Sequence, residues 1–392
     1  MPKLFKNIYI IDGMRTPIGS PFKSLKCYDT PYLAAAVIPN LLKKHKVKGS
    51  LIDEVILGNT VSAGIGQNFA RKALDVAGLP VTIPAHTVNS VCGSGLQSII
   101  DASQAIMAGH ADLILAGGAE SATHTPYLIP KDSDVEQHEK ALIDSLLYDG
   151  LTCSLSEKLM GDLCEELAQK HNITRDQQDR FALLSHQKAV AAQQEGKFSE
   201  EIVPVLDEHG KEVNKDDRPR KRASLEALSS LNPAFKEAGT ITSGNSCSPC
   251  DGASVLLMGS AEVVERNYYQ PKAKLLGFSS VGLKAEDTFS GAVQAVNSCL
   301  KDCELKLEDI DIFEVCESFA AQAIFTKEQL NIPGEKMNLW GGDIALGHPL
   351  GVAGARVLVT LLHILKDQNK KKGMVCICFG SGGAMAMAVE AL

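Results

Sequence analysis

Three turns of this chain carry side chains able to do covalent and proton-transfer chemistry. Cys92 stands in His86-Thr87-Val88-Asn89-Ser90-Val91-Cys92-Gly93-Ser94-Gly95-Leu96-Gln97, where an extended β-branched run ends in a thiol and glycines open a helix. A thiol at a strand-to-helix turn lies near backbone N–H groups and the positive end of the helix; both favour the thiolate, which is the reactive species. A buried structural role is the ordinary fate of a lone cysteine, so the weight falls on two later segments. His348 stands in Gly347-His348-Pro349-Leu350-Gly351-Val352-Ala353-Gly354-Ala355-Arg356, among residues that permit tight turns and close approach of a ligand. A neutral imidazole, with an ordinary pKa of about 6.5, can take a thiol proton at physiological pH. Cys378-Phe379-Gly380-Ser381-Gly382-Gly383 again places a thiol at the end of an apolar strand before glycines. A second thiolate can act as a base toward a weak carbon acid. Two thiols and one imidazole suit acyl transfer followed by carbon–carbon bond formation.

The elements that must position these turns come in two similar sets. Leu96, Ile99, Ile100, Ser103, Ile106 and Met107 fall at helical spacing, Gly109 terminates that helix, and Leu113-Ile114-Leu115-Ala116 reads as a buried strand ended by Gly117-Gly118. Near the C-terminus, a helix carrying Val357, Leu361, Ile364 and Leu365 leads through Gly373 to the strand Met374–Phe379. The order repeats, and Leu51-Ile52-Asp53-Glu54-Val55-Ile56 is loosely like Leu307-Glu308-Asp309-Ile310-Asp311-Ile312, which predicts an internal duplication. The Cys92 and His348 loops then hold equivalent positions at strand ends, where α/β folds gather ligands. Between the two sets, about residues 121–246, the chain is more polar. Ser156 is placed to cap a helix bearing Leu159, Met160, Leu163, Cys164 and Leu167, and Thr174-Arg175-Asp176-Gln177 forms a capping box opening another. Lys215, Arg218, Arg220, Lys221 and Arg222 concentrate positive charge, as a solvated loop or as a phosphate-binding surface.

Composition bounds the rest. A chain of 392 residues, 45% hydrophobic and 22% charged, is globular and long enough for two or three domains. Eleven cysteines without framework spacing, and no apolar run near the roughly 20 residues a membrane helix needs, fit a reducing cytoplasmic setting. Met1 to Lys6 runs straight into the strand-like Ile8-Tyr9-Ile10-Ile11, leaving no space for a leader. A formal charge of −8 and 5% aromatic residues argue against nucleic-acid binding. Cys247-Ser248-Pro249-Cys250 has no second CxxC to complete a zinc set, so no metal is expected.

Taken in order, the landmarks resemble those of the thiolases, the acetyl-CoA C-acyltransferases, along almost the whole chain. They include Gly58-Asn59, Gly64-Ile65-Gly66-Gln67-Asn68, Val91-Cys92-Gly93-Ser94-Gly95, Gly117-Gly118-Ala119-Glu120-Ser121, Asn232-Pro233-Ala234-Phe235, Gly239–Asn245, Asp251-Gly252-Ala253, the His348 loop and the Cys378 turn. The resemblance implies two βαβαβαββ halves in a five-layered α-β-α-β-α core with an inserted loop domain. Residues 1–120 plus 247–272 would form the N-terminal half, 121–246 the insertion that contacts CoA, and 273–392 the C-terminal half. It further implies reversible, ping-pong condensation of two acetyl-CoA to acetoacetyl-CoA plus CoA, with no cofactor, in a homotetramer built as a dimer of dimers.

By the same resemblance Cys92 carries the acyl group as a thioester, His348 activates it, and Cys378 exchanges the α-proton of the second acyl-CoA. The backbone N–H groups of Cys92 and Gly380 form one oxyanion hole; His348 with a water held by an asparagine forms the other. Arg220 lies by the adenine, and Leu231, Phe235, Ser243 and Phe319 line the pantetheine tunnel. The chain departs from the family where Asn-Glu-Ala-Phe becomes Cys316-Glu317-Ser318-Phe319, where Leu159 replaces a histidine, where Ala227 and Cys247 replace serines, and where Lys284–Ser290 lacks Met-Gly-x-Gly-Pro. A thiol is a weak donor and acceptor, so the second oxyanion hole is weakened or rearranged at Cys316. These departures leave open a degradative 3-ketoacyl-CoA thiolase for longer chains, and a catalytically impaired CoA-binding protein.

Overall fold

Alternating side chains along each strand assign the layers of this molecule, a computed structural model that describes residues 7–131 and 142–392. The leader reading on Met1 to Lys6 lies outside the described residues. The first half runs β1 (Ile8–Arg15), α1 (Thr30–Lys44), β2 (Glu54–Gly58), α2 (Phe69–Val76), β3 (Ala85–Val88), α3 (Ser94–Ala108) and β4 (Leu113–Ser121). An insertion carrying α4 (Met160–Lys170) and α5 (Arg175–Gln194) precedes β5 (Asp251–Ser260). The second half runs β6 (Ala273–Gly282), α6 (Gly291–Asp302), β7 (Ile312–Val315), α7 (Ala320–Gln329), α8 (Ala353–Asp367), β8 (Lys372–Phe379) and β9 (Gly383–Ala391).

The strands lie in the order β7-β8-β9-β6-β1-β5-β4-β2-β3. Antiparallel pairing of β1 with β6, Tyr9 opposite Lys274, joins the halves. On one side β2 is parallel to β4 and β4 antiparallel to β5; on the other β7 is parallel to β8 and β8 antiparallel to β9. The two sets therefore share one topology, as a duplication requires. Val55, Leu57, Leu113 and Leu115 face an outer cluster with α1 and α2, whereas Ile56, Ile114 and Ala116 face a central one with α3 and α8. In the second half Val375, Ile377, Met385 and Met387 face that same central cluster, while Met374, Cys376, Ala386 and Ala388 face an outer one with α6 and α7. The period of two along each strand thus produces the five layers α-β-α-β-α.

The second half departs from the repeat at its third strand. A single parallel bridge, Phe313 with Met337, stands where β3 has its counterpart. The Asn338 amide then substitutes for a ladder: its Oδ1 accepts from the Val315 N–H at 2.8 Å, and its Nδ2 donates to the Val315 carbonyl at 2.9 Å.

Two local expectations are corrected. Gly117-Gly118 does not end β4, which continues to Ser121. A Cβ on Gly118 would lie 2.2 Å from the Gly351 carbonyl oxygen, so glycine there lets the His348 loop press against the strand. Ser156 does not cap α4; Leu159 occupies that position, with the Asp162 carboxylate accepting its backbone N–H at 3.3 Å. The Thr174 box forms as read, with the Gln177 side chain accepting from Thr174 N–H at 2.7 Å.

Candidate active site

Cys92 lies half-buried between β3 and the N-terminus of α3, immediately after Val91. Val91 has φ of +50°, an unfavourable conformation for a β-branched residue, which persists only where the surroundings over-determine it. Here they do. The Asn89 side chain accepts from Val91 N–H at 3.0 Å, and the Thr60 and Ser94 hydroxyls donate to its carbonyl at 3.0 and 2.6 Å. The elbow turns the thiol out of the sheet at the start of a 15-residue helix.

The His348 loop reaches this elbow because buried Glu120, at the end of β4, binds it. Glu120 accepts from the N–H groups of Gly351, Thr60 and Val61 at 2.8, 2.9 and 3.2 Å. Burial pushes this carboxyl up, and those N–H groups oppose the shift. The Gly117–Ser121 landmark therefore works as a clamp between the loops. His348 itself is fixed through its backbone N–H, which donates to the Ser248 carbonyl at 2.9 Å, next to a bridge with Pro249. Gly347 takes φ of +103° with Cys250 and Arg218 against it, so a side chain there would collide with Cys250 Sγ. Cys247–Cys250 thus supports the His348 loop with its backbone, and both thiols are free.

On the imidazole, Nδ1 lies 3.2 Å from Asp343 Oδ1 and 3.7 Å from Cys316 Sγ. Nε2 has no hydrogen-bond partner among the described residues; the Cys92 sulfur lies close enough to the ring to raise its pKa. Burial works against the imidazolium, but the Cys92 charge, contacts with Asp343 and Cys92, and the Asp343 charge overcome it and raise the pKa to about 10. Asp343 is also fully buried, yet Arg356, 2.9 Å from its Oδ2, and His348 hold it well below the usual carboxylate range. The ionised carboxylate holds a hydrogen on Nδ1 and so fixes which way the ring is turned. A thiol, an imidazole and a buried carboxylate in this order are an arrangement that can serve as nucleophile, base and orienting group. Asp343 and Arg356 were missed in the sequence. Their signal was a carboxylate five residues before the histidine and an arginine eight after it, which the Gly347 turn and α8 bring together.

Cys378 enters from the second half, at the end of β8. Gly93 lies under the Phe379 ring, and a Cβ on Gly380 would meet Val91 at 3.4 Å, so the two thiol turns are in contact. Burial pushes the Cys378 thiol up to about 12, while the N–H groups of Ala292 and Gly291 at the start of α6 favour its thiolate. A thiol placed against the N-terminus of a 12-residue helix can hold and release a proton, since the helix end favours its thiolate.

A cleft of ≈ 680 Å³ opens beside the turns, lined by Thr60, Val91, Tyr148, Cys153, Met160 and Gly380 among others. Arg220 and Leu231 line a separate cleft of ≈ 560 Å³ with Lys221, Arg222 and Leu228. Phe319 packs edge-on against Phe235 at 6.0 Å and Phe289 at 5.3 Å, and Phe235 covers Gly161, next to Met160 of the first cleft. Ser243 is exposed. The basic run divides. Asp216 is buried in a bidentate pair with Arg15 at 2.7 and 2.9 Å and pins the run to the core, whereas Arg220, Lys221 and Arg222 remain exposed. Cys316 is fully buried behind the imidazole, where it adds no donor beside Nε2.

Comparison with known proteins agrees with this architecture. Residues 8–262 match the family described as thiolase, N-terminal domain, and residues 269–391 match thiolase, C-terminal domain. The chain is 45% identical over 391 residues to a probable acetyl-CoA acyltransferase of Staphylococcus aureus (strain COL), covering 98% of each. It is 43% identical over 388 residues to an acetyl-CoA acetyltransferase of Chromobacterium violaceum, covering 98% of this chain and 99% of that one. The crystal structure of the Bacillus anthracis acetyl-CoA acetyltransferase superposes with a TM-score of 0.96 at 35% identity, covering 99% of both chains.

Proposed function

The chain belongs to the thiolase family, and from that premise we propose that it reversibly condenses two acetyl-CoA to acetoacetyl-CoA and CoA. The observation that carries this reading is the contact of two thiol turns, from equivalent halves, one of them beside an imidazole that a buried carboxylate holds. Cys92 attacks the acetyl carbonyl, His348 Nε2 takes the thiol proton and returns it to the departing CoA sulfur, and a thioester remains on Cys92. Cys378 then takes a methyl proton from the second acetyl-CoA. The resulting carbanion attacks the thioester carbonyl and expels the Cys92 thiolate. Negative oxygen develops in both steps. The N–H groups of Cys92 and Gly380 receive one oxyanion and His348 the other, with Cys316 adding only a weakly donating thiol to that second site.

The nucleotide end of CoA takes the cleft of Arg220, Lys221 and Arg222, where exposed cations meet its phosphates, and pantetheine passes Leu231, Ser243, Phe235 and Phe319. The halves divide as residues 1–120 plus 247–272 and 273–392, with 121–246 as the CoA-contacting insertion. The enzyme works as a cytoplasmic homotetramer without a cofactor; among the described residues no helix is long and apolar enough to cross a membrane.

A second reading, thiolysis of longer 3-ketoacyl-CoA, draws support from the ≈ 680 Å³ cleft that continues past Val91 and Met160 to Tyr148. A chain-length series in the thiolysis direction separates the two. Turnover greatest with acetoacetyl-CoA supports the first; turnover rising steeply beyond four carbons replaces it with the second.

A further inference from the structure

The groups behind His348 are arranged for more than orienting a ring. Cys316 Sγ, Asp343 Oδ1 and His348 Nδ1 lie within 4.8 Å of one another, the one such His, Cys, Asp and Glu group among the described residues. A tetrahedral zinc ion, with bonds of about 2.3 Å to sulfur and about 2.0–2.2 Å to nitrogen and oxygen, sets its ligands about 3.6 Å apart for S···N and about 3.4 Å for N···O. The distances present are 3.7 Å and 3.2 Å. Asp343 already has the outer contacts of a ligating carboxylate: Oδ2 accepts from Glu317 N–H at 3.0 Å and lies 2.9 Å from Arg356, which leaves Oδ1 turned to the ring. A thiolate and a carboxylate bring two negative charges to a dication, and thiolate with imidazole favours zinc over magnesium or calcium.

We propose that Cys316, Asp343 and His348 Nδ1 form an inhibitory Zn²⁺ site. On binding, the Cys316 thiol and the His348 Nδ1–H each release a proton to solvent, Nε2 keeps its hydrogen with the metal on Nδ1, Cys92 takes up a proton as its thiol, and water completes the coordination. No electrons are transferred. With Nε2 carrying the hydrogen, His348 cannot accept the proton of Cys92, and acylation stops. Cys316 is the residue that makes the site, since it supplies the thiolate. The inhibitory consequence rests on the acyl-transfer reading; metal binding itself does not.

The test measures binding apart from turnover. Chelator-stripped protein is titrated with Zn²⁺ against a competing chelator, and with Co²⁺ as a spectroscopic probe. One tight equivalent is expected, with a thiolate-to-Co²⁺ absorption. Cys316→Ser and Asp343→Asn should each weaken it by at least ~100-fold, the upper end of what losing even a supporting contact costs, whereas Cys92→Ser should retain it. X-ray absorption on the zinc-loaded, unmodified protein gives a readout free of folding effects, and one sulfur with nitrogen and oxygen ligands is expected. Absence of a tight equivalent, its survival in Cys316→Ser, its loss in Cys92→Ser, or two or more sulfur ligands would overturn the proposal. Zinc bound as expected but without effect on Cys92 acetylation would remove the inhibitory claim.

Discussion

Asp343 Oδ1 stands 3.2 Å from Nδ1 of His348, the ring whose pKa Cys92 and Asp343 together raise. Removing the carboxylate's charge while keeping its shape should therefore impair the first half-reaction. Asp343→Asn is expected to slow acetylation of Cys92 by about 10²–10⁴-fold, the span a positioned base commands, with little change in KM. Rapid-quench labelling with acetyl-CoA measures it. Because this carboxylate favours the imidazolium, iodoacetamide should also alkylate Cys92 more slowly in the variant at neutral pH. Equal rates in both assays would leave Asp343 a structural role only.

The two thiols should separate by half-reaction. Cys92→Ser is expected to abolish the acyl-enzyme. Cys378→Ala should still form it from acetyl-CoA, release CoA once, and yield no acetoacetyl-CoA. Condensation at the unmodified rate by Cys378→Ala would refute this division of roles.

Much of this site was legible because its determinants are local. The Cys92 turn, the stop at Gly109 and the Thr174 capping box depend on residues within one or two turns of chain, and each forms as read. What could not be read depends on contacts between distant segments. Gly117-Gly118 looks like a strand terminator until the Gly351 carbonyl is seen against it. Asp343 looks like any surface acid until Arg356 and His348 fold over it. The missing third strand of the second half depends on one side chain, Asn338, satisfying Val315 on both of its backbone groups.

That close approach at β4 can be tested directly. In Gly118→Ala the new methyl would lie 2.2 Å from the Gly351 carbonyl oxygen and 2.9 Å from that of Gly58, both backbone atoms with no rotamer to escape into. Overpacking of this kind typically costs about 1–3 kcal/mol. The His348 loop would yield before the sheet, so acylation should fall further than stability accounts for. Denaturant unfolding and acyl-enzyme formation, measured on the same variant, check this. A variant as stable and as reactive as the parent would contradict the packing.

The join between the halves should respond to acid through His363. At this join Asp12 on β1 takes Lys272 at 2.6 Å, His45 at 2.8 Å and Lys44 at 2.9 Å, and Lys272 donates to His363 Nε2 on α8 at 3.1 Å. Burial, then the Lys272 charge, lowers the His363 pKa from 6.5 to about 3, so the folded protein holds a neutral imidazole that the unfolded chain protonates readily. That stabilisation is fully present above pH 6.5 and is lost as pH falls toward 3. Burial opposes ionisation of Asp12, but His45, Lys272 and Lys44 hold it well below the usual range, so its contribution also fades as pH falls, starting only near its ordinary value of 3.8. Between those two ordinary values His363 acts without Asp12. His363→Gln keeps an acceptor for Lys272 but cannot be protonated. It should flatten the fall in unfolding free energy across that window, where a single such histidine contributes up to about 1.4 kcal/mol per pH unit. Denaturant melts from pH 7 to 4 measure the two slopes. Identical slopes would mean that water reaches His363 and solvates its charge.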